Sequence, residues 1–519
     1  MDEQVQGTMT KTSKRRAPRS KYTSPKQLIF TGFETPFYNQ LDPNNRWVVL
    51  STQIPWDDLV NLFNKHNPPK ATGRPALNPR VLIGAVIIKH MLNLDDRETV
   101  AQITENMYLQ YFLGYSSYIK EAPIDPSLFV DIRKRLGEEL IAEMNEKIHA
   151  FSIEKAAKKE RKSKHGKGAP PEKGPQNKGE VIYDATVCPQ DIAYPTDLGL
   201  LSKAREFTEE IIDELHDKNP AGKKPRTYRK IARKAYLKVA QNKNPSKKVI
   251  RKGIKAQLQY LRRNFKTIER KLDSSVVFPL NHRLQRTYWI IQTLYLQQLK
   301  MYEGRSHQVD DRIVSISQPH VRPMVRGKAR AKTEFGAKIH LSLVDGYSFL
   351  DTISWDAFNE GTHLSDYVER YRERFGFYPE KVLADKLYCS RQNRKWLKEK
   401  GIKLAAKPLG RPSAKAVENH VRPGERNPIE GKFGQAKNGY GMNRIRARLK
   451  NTSQSWIASI ILVLNLVKLA GQAFFCLSFS AWGMVKCLQY SAIEWLIRQV
   501  EVKKQFRFNA ETKLGIWKS

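Results

Sequence analysis

The sequence predicts a mixed α/β protein: a sheet with strands running in both directions, interrupted by a helical insertion and preceded by an all-helical N-terminal region. Apolar residues recur at helical spacing from about 45 to 155 and again from 200 to about 310. The period changes to two between 333 and 357, around an Asp345-Gly346 turn. Two short apolar runs, Val181-Ile182-Tyr183 and Val382-Leu383-Ala384, each lead into an aspartate, Asp184 and Asp385. A chain of 519 residues exceeds one ordinary core, so two to four domains are expected.

Residues 1 to 28 are polar and basic and read as a disordered tail. A helical domain spanning 29 to 154 follows. Asn78 and Pro79 form an N-cap and first helical position ahead of the apolar run Val81 to Ile88. Asp95-Asp96-Arg97-Glu98 offers a capping box for a helix through Val100 and Ile103. A short helix through Tyr108, Tyr111, Phe112 and Leu113 stops at Gly114, and Asp125-Pro126 opens another through Phe129, Ile132 and Leu136. Short helices with tight turns are compatible with a helix-turn-helix and DNA contact, or with a plain helical bundle. Residues 155 to 180, dominated by Lys, Gly and Pro, read as a linker.

The strand at Asp184 opens an α/β domain over 181 to 475, with a helical insert at about 203 to 310. Between Lys218 and Leu272 there are 20 Lys and Arg and one acid, Glu269. A charge run is usually a solvated face, but this imbalance points to a DNA-binding surface, with Arg262 and Arg263 among its contacts. After the insert come the hairpin, a helix at about 363 to 375, a strand at 381 to 385, a helix at about 390 to 400 and a strand at 402 to 407. Trp456 to Val485 is apolar enough to suggest a membrane span. Asn465, Lys468, Gln472 and Gly471 favour a buried helix pair instead. Residues 476 to 519 read as a helical tail.

Lys plus Arg outnumber Asp plus Glu by 91 to 52, a net charge of +39. This implies a polyanionic partner; ribosomes or an anionic membrane surface would also satisfy the charge alone. The four cysteines (Cys188, Cys389, Cys476, Cys487) form no CxxC pair and have no His at ligand spacing, which argues against structural zinc and a disulfide framework. The N-terminus lacks the apolar segment of a secretory signal, so a reducing cytoplasm is expected.

Three carboxylates carry the chemical expectation: Asp184 in a strand, Asp385 at the end of a neighbouring strand, and Glu430 at a helix start. In that helix Pro428 suits the first position, Ile429 and Phe433 would bury against the sheet, and Glu430 and Lys437 share a face at i,i+7. Phosphodiester chemistry needs an activated oxygen nucleophile and neutralisation of a highly charged transition state, and two Mg²⁺ ions held by such carboxylates supply both. Each signal alone is weak, since Glu430 by itself reads as a helix-dipole partner and Asp191, Asp197, Asp356 and Glu360 compete.

Together these blocks resemble the DDE transposases of bacterial insertion sequences, in the InsH-like branch (insertion sequence family five). Val382 to Tyr388 resembles the block around the family's second Asp. Arg426 to Lys437, with Tyr440-Gly441, resembles its Arg, Glu, Lys signature, and Val181 to Asp184 with Tyr194 to Asp197 and Leu200-Leu201 its first block. Gly73-Arg74-Pro75, Arg80-Val81-Leu82 and Tyr111 to Gly114 resemble the N-terminal domain. Val325 to Lys328 and Glu334 to Lys338 resemble the stretch before the hairpin. The resemblance spans roughly 40 to 475. It implies an RNase H-like catalytic domain, two Mg²⁺ ions (Mn²⁺ may substitute) on Asp184, Asp385 and Glu430, cleavage at terminal inverted repeats and joining of 3′-OH ends to target DNA. It further implies end contacts by Arg426 and Lys437, with Arg326 and Lys328 in the matching stretch before the hairpin, and a homodimer on DNA, nucleoid-associated and off the membrane. Well-described relatives outside this branch carry a β-rich insert just before the Glu helix, so their insert contacts do not transfer to this helical one. Two other readings are an inactive DNA-binding derivative of a transposase and a structure-specific nuclease of the same fold.

Overall fold

The computed structural model describes residues 41–68, 76–163, 177–218, 220, 223–273, 279–325, 333–405 and 424–471. The basic tail, Gly73-Arg74-Pro75, Arg326, Lys328, Cys476, Cys487 and the tail from 476 onward lie outside them.

Seven helices come first: α1 (Arg46–Gln53), α2 (Trp56–His66), α3 (Pro79–Leu92), α4 (Asp96–Glu105), α5 (Met107–Phe112), α6 (Leu128–Leu136) and α7 (Glu138–Ser163). Their ends follow local chemistry. The Asn78 side chain accepts from the Arg80 N–H ahead of Pro79, and the Asp95 carboxylate accepts from the Glu98 N–H. α3 is buried along nearly its whole length, including Arg80, whose guanidinium donates to the Phe112 carbonyl and Ser51 Oγ. α7 runs on to Ser163, past the point where apolar spacing fades near 155. Its Glu, Lys and Ala residues favour helix by intrinsic propensity.

The sheet is built from β1 (Glu180–Pro189), β2 (Pro323–Val325), β3 (Thr333–Val344), β4 (Tyr347–Ser354), β5 (Lys381–Leu383) and β6 (Lys403–Ala405). Their order is β2-β3-β1-β5-β6, with β4 also on β3. β3 runs antiparallel to β1, β2 and β4, whereas β5 runs parallel to β1 and β6. Asp345 and Gly346 both take positive φ (50° and 75°), which closes the β3–β4 hairpin as its sequence predicts.

Four helices are inserted between β1 and β2: α8 (Asp197–Lys218), α9 (Arg229–Ala240), α10 (Lys247–Asp273) and α11 (His282–Glu303). They enclose their own core, with Leu201, Ile211, Leu261, Ile268, Ile291 and Leu294 at its centre. Asp197 closes this unit by accepting from Arg312 (2.6 Å) and Gln298 (2.9 Å).

After the hairpin come a 3₁₀ turn (Glu360–His363), α12 (Leu364–Phe375), a second 3₁₀ turn (Lys386–Tyr388), α13 (Arg391–Glu399), α14 (Asn427–Gly439) and α15 (Lys450–Gly471). The sheet is covered on both faces. α12 and Tyr388 pack with Tyr183 and Val382 on one side, and α14 and α15 with Ile339 and Leu341 on the other. α15 is long and apolar enough to cross a membrane, but 72% of its most apolar stretch is buried inside the protein. One side of it (Leu462, Val463, Leu466) joins the core of the N-terminal helices, and the other (Ile457, Ile460, Leu464) joins the sheet. Residues beyond Gly471, where a second member of the pair would lie, are outside the described range.

Candidate active site

Side chains two apart on a strand point the same way, so β1 directs Ile182, Asp184 and Thr186 to one face and Tyr183 to the other. The first face is the one α14 covers. Ile429, Phe433 and Ala436 of α14 are buried there with Leu341, the residue paired with Asp184 across β1 and β3.

The parallel register of β1 and β5 explains how two distant aspartates meet. Ile182 is opposite Leu383, and two residues further along each chain lie Asp184 and Asp385. β5 stops short of the expected residue 385 because Asp385 turns out of the sheet. Its Oδ1 accepts from the Lys386 N–H (2.6 Å) and caps the second 3₁₀ turn.

Arg426 lies between the two carboxylates, at the residue before α14. Its Nη2 is 3.4 Å from Asp184 Oδ2 and its Nη1 is 3.3 Å from Asp385 Oδ1. Asp184 and Arg426 are each 20% exposed at the side chain, and Asp385 is 52% exposed. Burial pushes the Asp184 carboxyl above its ordinary range. The Ala185 N–H (2.8 Å from Oδ1) and Arg426 pull it down, while Asp385 and Glu430 push it up again.

Glu430 is exposed in the first turn of α14, and its charge acts on Asp184. Lys437, two turns along, donates from Nζ to Thr186 Oγ1 at 2.9 Å. Thr186 is absent from the sequence expectations, although its position two residues beyond Asp184 places it on the same face. The central position of Arg426 was equally out of reach, because it depends on β1, β5 and α14 meeting.

The competing carboxylates are engaged elsewhere. Asp191 accepts from Arg444 (3.0 Å), Asp197 closes the insert, Glu360 pairs with Lys338, and exposed Asp356 lies 3.8 Å from Arg322. Arg262 and Arg263 are exposed on α10, with Arg263 over the rings of Tyr228 and Tyr260.

The donor set suits a hard divalent cation, being carboxylate oxygen throughout. The Arg426 guanidinium occupies the position between Asp184 and Asp385. Among the described residues no three His, Cys, Asp or Glu side chains form a ready-made metal cage.

Residues 382–467 match the family described as the transposase DDE domain, which takes in Asp385, Arg426, Glu430 and Lys437. Residues 35–135, most of the N-terminal helices, match the transposase domain (DUF772) family. The uncharacterized protein ORF8 in the nfe locus of Rhizobium meliloti is 30% identical over 167 residues, which cover 32% of this chain and 72% of that protein. No solved structure matches. With a DDE block over the segments bearing Asp385 and Glu430 and a transposase domain near the N-terminus, the chain belongs to the DDE transposases of insertion sequences.

Proposed function

We propose that this transposase cuts DNA at the terminal inverted repeats of its element and transfers the freed 3′-OH ends to target DNA, through a two-metal site on Asp184, Asp385 and Glu430. The observation that carries the reading is the meeting of Asp184 and Asp385 around Arg426, at the start of the helix bearing Glu430. The strand order, with β1 central, β3 antiparallel to it and β5 parallel, supports an RNase H-like catalytic domain over 181 to 475. The N-terminal helices, over 29 to 154, are read as a DNA-binding domain, and the basic helical insert, about 203 to 310, as a DNA-contacting part of the catalytic domain. The InsH-like branch, a homodimer on DNA and residence at the nucleoid in the cytoplasm complete the proposal.

Two divalent ions, when bound, activate the attacking oxygen and neutralise charge on the phosphate. Asp184 and Asp385 would hold cations from the sheet and Glu430 from α14. Arg426 and Lys437 would orient a backbone phosphate on the same face, with Lys437 steadied by Thr186. Partial burial of Asp184 strengthens each of these interactions by keeping water away.

The test uses DNA bearing the element's own ends. The intact protein is expected to cleave and join in Mg²⁺, and Asp184→Asn, Asp385→Asn and Glu430→Gln are each expected to lose about 10³-fold or more, corresponding to several kcal/mol of lost charge stabilisation. Substantial cleavage by any of the three would remove that residue from the site. End binding without cleavage by the intact protein would favour the inactive derivative, and cleavage without joining the nuclease.

A further inference from the structure

Asp385 has little structure of its own to hold it. β5 pairs over three residues and ends at Leu383, and the carboxylate is half exposed. The 3₁₀ turn that follows it leans on the earlier 3₁₀ turn, Glu360–His363. The approach is close: a methyl group at Gly361 would overlap the Leu387 carbonyl oxygen, so a residue without Cβ is required there. One side chain ties the two turns. Asn393 of α13 donates from its amide nitrogen to the carbonyl of Gly361 (2.6 Å) and to that of Tyr388 (2.9 Å). The first turn is in turn fixed to the sheet. Glu360 pairs with Lys338 of β3, Lys338 also donates to the Phe358 carbonyl (2.7 Å), and Asn359 accepts from the Gly361 N–H (3.0 Å).

We propose that Asn393, acting with Gly361, is a positioning residue that aims the Asp385 carboxylate at a divalent cation. The proposal rests on reading Asp385 as a metal ligand. The connection runs from β3 through Lys338, Glu360 and Gly361 to the turn that Asp385 caps, and Asn393 bridges its last step. The amide NH₂ of Asn393 carries two N–H donors, one for each carbonyl oxygen. Aspartate has the same shape but would present oxygen to both, so Asn393→Asp should force the turns apart. Asn393→Ala removes the bridge without adding repulsion and should do less harm. Asn393 is outside the set read here as metal ligands and DNA contacts.

The experiment titrates Mn²⁺ alone into the full-length protein by calorimetry, for the intact chain, Asn393→Asp, Asn393→Ala and Asp385→Asn. Cleavage and binding of an end-bearing duplex in EDTA are followed in parallel. Asn393→Asp is expected to weaken Mn²⁺ binding about 10- to 100-fold, the usual effect of losing support behind a metal ligand, with Asn393→Ala intermediate. Duplex binding in EDTA should be unchanged, and cleavage should recover in part at high Mn²⁺. If Asp385→Asn weakens Mn²⁺ binding while both Asn393 variants bind it as the intact protein does, the clamp is overturned. If Asp385→Asn itself leaves Mn²⁺ binding unchanged, the metal-ligand reading fails and the clamp with it. Should Asn393→Asp not fold by circular dichroism, Asn393→Ala decides by the same criterion.

Discussion

At the residue scale, Asp184 and Arg426 make opposite predictions for the metal-free protein. Burial raises the Asp184 carboxyl above its ordinary value of 3.8, so the folded state holds that proton more tightly than the unfolded chain. Its contribution to stability therefore falls as pH rises through the unfolded value and on through the folded one. Asp184→Asn in EDTA should leave the melting temperature near that of the parent at about pH 4 and raise it at about pH 7. A lower melting temperature than the parent at neutral pH would show that the Arg426 contact outweighs the burial. Arg426→Ala should act the other way, lowering metal-free stability by about 1 kcal/mol, the upper end for a pair partly open to water. If Asp184 and Asp385 hold a cation as proposed, Arg426 stands where it would compete, and Mg²⁺ should stabilise this variant more than the parent, as read by thermal melts. The sequence singled out Asp184, Asp385 and Glu430 as candidates, and the structure brings the first two to either side of Arg426. The role of Arg426 was only partly so, since it appeared as a phosphate contact and the structure gives it two carboxylate partners.

At the scale of elements, capped helices and the hairpin were the most legible features, because Asn78, Asp95 and Asp345-Gly346 act on their own neighbours. β2, β5 and β6 are three residues each, too short for periodicity to register. The 3₁₀ turns that hold Asp385 are set by contacts across the chain. α15 shows how one residue settles an element's environment. Asn465 donates to Asn145 Oδ1 and to the Ser348 carbonyl and accepts from the Ser348 N–H, all at 2.8 Å, joining α15 to α7 and β4. Asn145 donates to the same carbonyl. Asn465→Leu would leave the Ser348 N–H without this acceptor, at a cost of about 1–3 kcal/mol. Urea unfolding should show a lower midpoint at unchanged slope, and an unaltered midpoint would mean that Asn465 does not tie these elements together.

At the scale of the molecule, charge is concentrated rather than uniform. The exposed cations of α10 (Lys248, Lys252, Lys255, Arg262, Arg263, Lys266 and Arg270) recur at helical spacing along one face, opposite buried Leu258, Leu261, Phe265 and Ile268. If that face follows a DNA backbone, each phosphate contact removed should reduce the slope of log affinity against log salt by about 0.9. The Arg262→Ala, Arg263→Ala double variant should therefore lower the slope by nearly two in anisotropy titrations with a duplex. An unchanged slope would place the DNA on another surface.

By itself the sequence determined the class of the protein, its capped helices, its alternating hairpin, its basic insert and the three candidate acids. Each of these is written in residue types at short spacing, where local hydrogen bonds, side-chain direction and net charge decide. Only the tertiary structure decided which aspartate stands beside which, because Asp184 and Asp385 meet through the register of two strands 200 residues apart. It also decided that α15 is shared between the helical core and the sheet, and that Arg426 lies between two acids. These are long-range pairings, whose energy comes from burial and charge brought together after the chain has folded, and no local pattern encodes them.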